Sequence, residues 1–194
     1  MRRGRYICAA TADGAVHLLD PVNFSIVKIW HAHAAVVTCL DSQDDFLVTC
    51  GCSMRPDGSY SLDSFLNVFD VRKMEPLAPV PFSAGAAFAR MHPKLLTTCI
   101  VISISGQMHV VDLLDAAASS VRQANVLSGL NMLEISPSGE TIALADADCN
   151  IHIWGSPKTA RFVEAPRPVQ FAATTSQTPA NTSMWSDDVY VHVL

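Results

Sequence analysis

The chain has 194 residues, of which 49% are hydrophobic, 16% charged and 7% aromatic, and its formal net charge is −5. Its apolar fraction excludes a mainly disordered chain, since such chains lack the apolar surface that offsets the entropy of ordering. The acidic balance argues against a broad basic face for nucleic acid, and no apolar run reaches the ~18 residues that a membrane-spanning helix needs.

Short strand-like runs follow one another along the chain, each rich in Val, Ile, Leu or Phe and bounded by turn residues. No segment has a convincing helical period, and the best helical candidate, Leu114–Val121, is brief. The runs therefore predict an all-β fold. In chain order they are Tyr6–Ala10, Ala15–Leu19, Val36–Leu40, Phe46–Cys50, Phe65–Phe69, Thr98–Ser103, Met108–Val111, Met132–Ile135, Thr141–Leu144 and Asn150–Trp154.

Four of these runs end alike, with an apolar residue followed by Asp or Gly. The final positions are Asp20, Asp70, Asp112 and Gly155, so the repeat length is 50, 42 and 43 residues. A polar, turn-rich insertion at 53–61 accounts for the longer step. A period near 42 built from four short strands is typical of a blade of a WD40-like β-propeller. The main alternative, a β-sandwich, would not require equal spacing.

The repeat assigns structural roles to a few residues. An Asp at the end of a third strand can accept hydrogen bonds from turn amides, and Trp154 can pack between blades. His33 matches the corner that opens a blade, where it would bond backbone or a strand Ser or Thr. The histidines that recur on third strands fit half-exposed positions better than metal ligands. The predicted structural positions are Asp20, Asp70, Asp112, Trp154 and His33.

No catalytic motif is found in the sequence. A two-metal exonuclease needs clustered carboxylates, and its first motif is Asp-x-Glu, but no Asp here is followed two positions later by Glu. Gly-x-Gly-x-x-Gly and Gly-Lys-Ser/Thr loops and a Gly-x-Ser-x-Gly elbow are also absent from the sequence. We therefore predict no catalytic residue, cofactor or metal in this chain. A self-contained hydrolase on a β scaffold is disfavoured.

Cysteine usage and the N-terminus indicate the compartment. The six cysteines lie scattered through apolar runs, which predicts buried, reduced thiols in strands. The apolar stretch that begins at Tyr6 is about half the length that a signal peptide needs, and it ends at Asp13-Gly14. We therefore predict a cytoplasmic protein.

Several stretches are more specific than a general WD-type pattern. Leu47–Gly51 (Leu-Val-Thr-Cys-Gly) and His92–Leu95 (His-Pro-Lys-Leu) are the most distinctive, and Gly4–Ala10, Trp30–His33 and Val68–Arg72 add to them. Through these stretches the sequence resembles the N-terminal propeller of the catalytic subunit of the PAN poly(A)-specific ribonuclease (deadenylase) family. The likeness covers roughly residues 3–171.

The resemblance implies about four of seven four-stranded antiparallel blades, which makes an incomplete WD40-like propeller over residues 1–165. The first blade would lack its opening strand. Residues 166–194 would be a polar linker or tail, which we expect to be poorly ordered. An open arc exposes an apolar blade face at each end, so we predict that the chain alone aggregates or depends on further blades.

The resemblance also implies a function. It suggests a non-catalytic protein-interaction scaffold fragment whose parent shortens mRNA poly(A) tails, in the cytoplasm and its P-bodies. The implied partners are the regulatory subunit of the complex and poly(A)-binding ribonucleoprotein. The family's exonuclease domain, which uses divalent metal, has no counterpart in this sequence. The alternative is an unrelated WD-repeat scaffold with unknown partners.

Direct contact with RNA is not favoured by the distribution of basic residues. Arg2, Arg3 and Arg5 cluster at the start of the chain, and Arg161 and Arg167 lie near the last blade. Proteins that bind single strands combine such charges with stacking aromatic side chains in one groove. Tyr6 and Phe162 are nearby in the sequence, but Tyr6 is expected to point inward from its strand. Rigid propeller loops and rims favour contact with protein instead.

Overall fold

The computed structural model describes residues 5–115 and 119–155, together with the backbone of residues 190–193. Within these ranges no helix is present that is long and apolar enough to cross a membrane. The strands are β1 (Ile7–Ala10), β2 (Ala15–Leu19), β3 (Ile26–His31), β4 (Val37–Gln43), β5 (Phe46–Met54), β6 (Tyr60–Leu62), β7 (Phe65–Asp70), β8 (Glu75–Pro76), β9 (Val80–Pro81), β10 (Phe88–Met91), β11 (Thr98–Ile102), β12 (Gln107–Asp112), β13 (Ser119–Gln123), β14 (Leu130–Ile135), β15 (Thr141–Asp146), β16 (Ile151–Gly155) and β17 (Tyr190–Val193).

The strands form four antiparallel sheets, which we call blades 1 to 4. Their strand orders are β17-β1-β2-β3, β4-β5-β7-β8, β10-β11-β12-β13 and β14-β15-β16; β6 and β9 extend blade 2 by pairing with β5 and β7. Apart from β17, each blade is a meander of strands that follow one another in the chain, which is the construction of a propeller blade. The predicted all-β class is confirmed.

All ten predicted strands are present, and seven further strands were not predicted. The missed strands β3, β8 and β13 expose most or all of their residues, and β6 buries none of its residues completely. They therefore lack the continuous apolar signal on which the prediction relied. The helical candidate Leu114–Val121 includes residues 116–118, which lie outside the described ranges, and its last residues belong to strand β13.

Blade 1 differs from its prediction because it has four strands. Strand β17 pairs antiparallel with β1, with Ile7 opposite Val193 and Ala10 opposite Tyr190. It therefore takes the edge position where the sequence predicted a missing opening strand. These four residues belong to the segment 166–194 that was assigned to a tail, and the residues of that segment before β17 lie outside the described ranges.

The hydrophobic core is divided into three clusters, and each lies between two neighbouring blades. Between blades 1 and 2, Leu18 and Leu47 are fully buried and the rings of Trp30 and Phe69 stack with centroids 4.6 Å apart. A second cluster joins blades 2 and 3, and a third joins blades 3 and 4. Because each blade buries its faces only against its neighbours, the stability of one blade depends on the next.

Blade 4, the last blade among the described residues, has an exposed apolar face. Ile151 and Ile153 are 71% and 52% exposed, whereas Trp154, on the opposite face of the same strand, packs against the cluster shared with blade 3. Alternate residues of a strand point to opposite faces, so the two isoleucines point away from blade 3. This is the apolar end face expected for an arc of blades.

Candidate interaction surface

A buried hydrogen-bond network connects the corner that opens blade 2 to two of its strands. The Nδ1 atom of His33 lies 2.6 Å from Asp63 Oδ2, and its Nε2 atom lies 2.9 Å from Thr49 Oγ1. Since a carboxylate only accepts, Nδ1–H donates to Asp63. Ser53 donates to the other carboxylate oxygen at 2.5 Å. The ring also packs over Gly51, where a Cβ atom would lie 2.3 Å from His33 Cγ.

The network holds one wall of a surface cavity. Asp63 follows Leu62 in the chain, and its backbone carbonyl accepts a hydrogen bond from the amide of Ala86 at 2.9 Å. This bond connects the loop before β7 to the loop after β9. The cavity has a volume of about 490 Å³ and is lined by Leu62, Ala84, Ile104, Ser105 and residues 126–129; we call it the loop cavity. Its walls come from blades 2, 3 and 4.

The rim of the loop cavity is apolar and exposed. Leu127 is 99% exposed and Ile104 is 48% exposed. Their loops are tied down by backbone hydrogen bonds, since Leu130 donates to Ile104 and Ala147 donates to Gly129, each at 2.9 Å. Exposed apolar side chains on anchored loops are typical of a docking surface for another protein.

A second cavity, of about 360 Å³, lies against the first strands of blades 2, 3 and 4, and we call it the inner cavity. Arg90 on β10 crosses its wall: its Nη2 and Nε atoms donate to Glu134 Oε1 at 2.9 and 3.3 Å, and its Nη1 atom lies 3.1 Å from Cys39 Sγ. Burial alone would lower the pKa of Arg90, but its contacts with Glu134 and Cys39 raise it, so the guanidinium stays charged. Arg90 thus links the three blades through its side chain.

The three predicted aspartates lie at the ends of strands. Asp20 directly follows β2, while Asp70 and Asp112 are the last residues of β7 and β12. Each carboxylate accepts a backbone amide two or three residues further on, at 2.7 to 2.9 Å. Trp154 on β16 is half-buried, and His33 is buried in the network described above. What these residues contribute to stability stays a prediction.

Sequence reasoning did not identify Asp63, although a signal for it was present. Asp63 lies seven residues before Asp70, the same distance that separates Asp13 from Asp20 and Asp148 from Gly155. Aligning the turns as well as the strand ends would have placed it opposite the blade corner. No comparable signal exists for Arg90, whose partners are 44 and 51 residues away in the chain.

Acidic and metal-ligating side chains do not gather at either cavity. Across residues 5–115 and 119–155, no group of three or more His, Cys, Asp or Glu side chains could hold a metal ion. Arg5 and Arg72 each lie 3.9 Å from Asp45, so both contact a carboxylate. Arg2, Arg3, Arg161 and Arg167 lie outside the described residues.

Comparison with known proteins gives a consistent family. The model of the family described as PAN2 N-terminal matches residues 1–155. The chain is similar to proteins described as the PAN2-PAN3 deadenylation complex catalytic subunit PAN2. The one from Chaetomium globosum is 47% identical over 189 residues, which is 96% of this chain and 17% of that protein. The one from Coccidioides immitis is 48% identical over 196 residues, which is 100% of this chain and 16% of that protein.

Solved structures agree with these relatives. The chain is similar to the Neurospora crassa Pan2 WD40 domain, with 44% identity and a TM-score of 0.76 over 83% of this chain and 50% of that chain. The β-propeller domain of Myceliophteria thermophila Cps50 (Swd1) has a TM-score of 0.64 at 14% identity, over 80% of this chain and 49% of that chain, which supports the propeller fold alone. The chain thus spans about half of the solved domains, and 16 to 17% of the two curated relatives.

Proposed function

The chain belongs to the PAN2 N-terminal family, and from this premise we propose that it acts as a non-catalytic protein-interaction scaffold within a PAN2–PAN3 deadenylation complex. The observation that carries the proposal is the family match over residues 1–155, which includes every strand of the four blades except β17. Propellers present rigid loops on a stable framework, and such loops commonly bind other proteins. The activity of the parent complex is shortening of mRNA poly(A) tails.

We place partner docking at the loop cavity. Its apolar rim, with Leu127 and Ile104, offers area that would be buried on association. The His33–Asp63 contact and the backbone bonds of the loops keep this rim in one conformation before a partner binds. Preorganisation lowers the entropy lost on association and therefore favours binding.

The proposed partners are PAN3, the other protein in the relatives' names, and poly(A)-binding ribonucleoprotein. We assign contact with the ribonucleoprotein to its protein component rather than to RNA. Four cationic side chains of the described residues contact carboxylates: Arg5, Arg72, Lys73 and Arg90. Ion pairing reduces the positive potential that would attract a phosphate backbone. The family match disfavours the alternative of an unrelated WD-repeat scaffold.

The site of action that we propose is the cytoplasm, including its P-bodies. All six cysteines are free thiols, although Cys39 and Cys50 face each other on neighbouring strands. Free thiols in such a pair fit a reducing compartment. The catalytic step and the divalent metal of the parent complex would come from a domain outside this chain.

Capture experiments with the full chain test the scaffold function. PAN3 and poly(A)-binding protein loaded on poly(A) are immobilised separately and exposed to the wild-type chain and to Leu127→Asp. We expect capture of the wild type by at least one partner and a loss of about tenfold in the variant, because a charge replaces apolar contact area. Leu114→Asp is the matched control, since Leu114 is 68% exposed at the opposite end of blade 3.

The outcomes separate the parts of the proposal. Failure of both partners to capture the wild type would reject the scaffold role in this complex. Equal capture of the two Leu→Asp variants would reject the loop cavity as the docking surface. Incubation of the chain with poly(A) and Mg²⁺ should produce no shortening, and robust shortening would overturn the non-catalytic assignment.

A further inference from the structure

Two thiols of blade 2 face each other across the pair of strands β4 and β5. Cys39 and Cys50 are directly opposed partners in this antiparallel register. Opposed residues of antiparallel strands have Cα atoms about 4.5 to 5.5 Å apart, which lies within the range that a disulfide spans. Both side chains belong to the cluster that is buried between blades 2 and 3. The two side chains therefore lie on the same face of the sheet.

A guanidinium group lies beside the first of these thiols. Arg90 Nη1 is 3.1 Å from Cys39 Sγ, and the amide of Ala89 is 3.5 Å from the same sulfur. The Ala89 carbonyl, 3.4 Å away, accepts from the Cys39 thiol when the thiol is protonated. The cation and the amide favour the thiolate, which is the nucleophilic form of cysteine.

Small molecules can reach the sulfur from the inner cavity. Cys39 and Arg90 both line this cavity, and Cys39 is 9% exposed. Cys50 and Cys99 are fully buried. The cavity volume of about 360 Å³ admits molecules the size of hydrogen peroxide. Access, activation by a cation and an opposed second thiol thus coincide at Cys39.

We propose that Cys39 is an oxidant-sensitive site, at which hydrogen peroxide converts the Cys39–Cys50 thiol pair into a reversible disulfide. The Cys39 thiolate attacks one peroxide oxygen, the O–O bond breaks, and the released hydroxide takes a proton from solvent. Cys39 is then a sulfenic acid. Attack by the Cys50 sulfur forms the S–S bond and expels the hydroxyl group, which leaves as water with the Cys50 proton. Overall, two thiols and one peroxide give one disulfide and two waters.

The electrostatic surroundings favour Cys39 as the sulfur that attacks peroxide and Cys50 as the sulfur that closes the disulfide. The hydrogen bond from Cys50 lowers the pKa of Cys39 most, and Arg90 lowers it further, whereas burial opposes both. The pKa of Cys50 is raised, first by its hydrogen bond to Cys39 and then by burial. Oxidation of Cys39 removes the charged acceptor of that bond. Cys50 then loses its proton more readily, which suits it to close the disulfide.

The other charged and titratable groups around the pair leave this assignment unchanged. Glu134 on β14 accepts two bonds from Arg90, and Asp41 on β4 accepts the amide of Met91 at 2.7 Å. Burial raises the pKa of Cys99, which therefore stays a neutral thiol.

The test compares the six cysteines within one wild-type chain. The full chain is treated with hydrogen peroxide at pH 7, quenched by alkylation and digested without reductant for mass spectrometry. We expect a peptide linked through Cys39 and Cys50 that disappears on treatment with dithiothreitol. It should form before exposed Cys149 is oxidised. In Cys50→Ser, dimedone should trap a sulfenic acid at Cys39, because no thiol is left to close the bond.

Variants of the cation test how Cys39 is activated. Arg90→Gln should slow alkylation of Cys39 by iodoacetamide about tenfold at pH 7, since loss of a close opposite charge shifts a pKa by about one unit or more. Glu134→Gln is the matched control, because it breaks the same ion pair and keeps the guanidinium; its rate should stay within about twofold. The rate in the wild type should reach half its maximum below the ordinary thiol pKa of about 8.5.

Two results would overturn the proposal. One is a Cys39 that stays reduced while Cys149 is oxidised. The other is modification of Cys39 only in denaturant, at the rate of buried Cys99. Both are read from the wild-type chain and so do not depend on any variant folding. Failure of both PAN3 and poly(A)-binding protein to capture the chain would reject the proposed function and would not affect this result.

Discussion

Replacement of His33 by Ala should destabilise the chain more than any exposed substitution in the same blade corner. The change removes the bond to Asp63 at 2.6 Å and the bond to Thr49 at 2.9 Å. Asp63 and Thr49 are 5% and 0% exposed, so water cannot replace the lost partner without opening the blade.

The size of the destabilisation follows from the buried groups that lose their partner in His33→Ala. An unpaired buried hydroxyl costs ~1–3 kcal/mol, and breaking a buried charged contact costs ~3–5 kcal/mol. Ser53 still donates to Asp63 and lowers the second cost. Loss of the ring also leaves a space over Gly51. We expect a decrease of about 4 kcal/mol in the free energy of unfolding, a large part of the ~5–15 kcal/mol that holds a domain.

Equilibrium urea denaturation of the full chain measures this decrease. His31→Ala is the matched control, because His31 is an exposed histidine two residues away and should cost less than ~0.5 kcal/mol. A double-mutant cycle with Asp63→Ala should give an interaction free energy of about 2–3 kcal/mol between the two positions. The reasoning is refuted if His33→Ala is within ~1 kcal/mol of His31→Ala, or if the two substitutions are additive.

Three further predictions concern a turn, a carboxylate and the edge strand. Gly106→Ala should lower the free energy of unfolding by about 3 kcal/mol, and Gly58→Ala by about 1 kcal/mol, as measured by urea denaturation. Both glycines have a positive φ, but of the two only Gly106 would place a Cβ 2.6 Å from a backbone oxygen. Equal costs would contradict this reasoning. The pKa of Asp146 is lowered to about 2, chiefly by its hydrogen bond from His152. The ionised carboxylate therefore stabilises the fold fully above pH ~3.9, the ordinary pKa of Asp, and this stabilisation is lost as the pH falls towards 2. Unfolding of Asp146→Asn should depend less on pH in that interval, and an unchanged dependence would contradict the assignment. Deletion of residues 190–194 removes the strand that pairs with β1, so hydrogen exchange of β1 amides should accelerate at least about tenfold; unchanged exchange would show that β17 adds no protection.

Much of the arc could be read from local pattern. Strands such as Phe46–Met54 and Thr98–Ile102 bury most of their residues, and a continuous apolar run in the sequence indicates such a strand. The repeat of about 42 residues then assigned the strands to blades, because the strands of one blade follow one another in the chain. Strand Phe88–Met91 was missed although two of its four residues are buried, since its short run contains Arg90.

The two candidate sites could not be read in the same way. The partners of His33 are 16 and 30 residues away, and those of Arg90 are 44 and 51 residues away. Composition and periodicity report whether a residue is buried. They do not report which side chain it meets, because that depends on the register and packing of strands that are distant in the chain.

The sequence by itself determined the all-β class, the repeat and the family, since alternation and turn residues act locally and specific stretches such as Leu47–Gly51 identify relatives. Only the tertiary structure decided that β17 completes blade 1, and that Arg90 lies between Cys39 and Glu134. These contacts arise when blades pack face to face and an open edge takes a strand. Backbone pairing at an edge requires no particular side chains, and packing between blades is set by shape over long sequence separations.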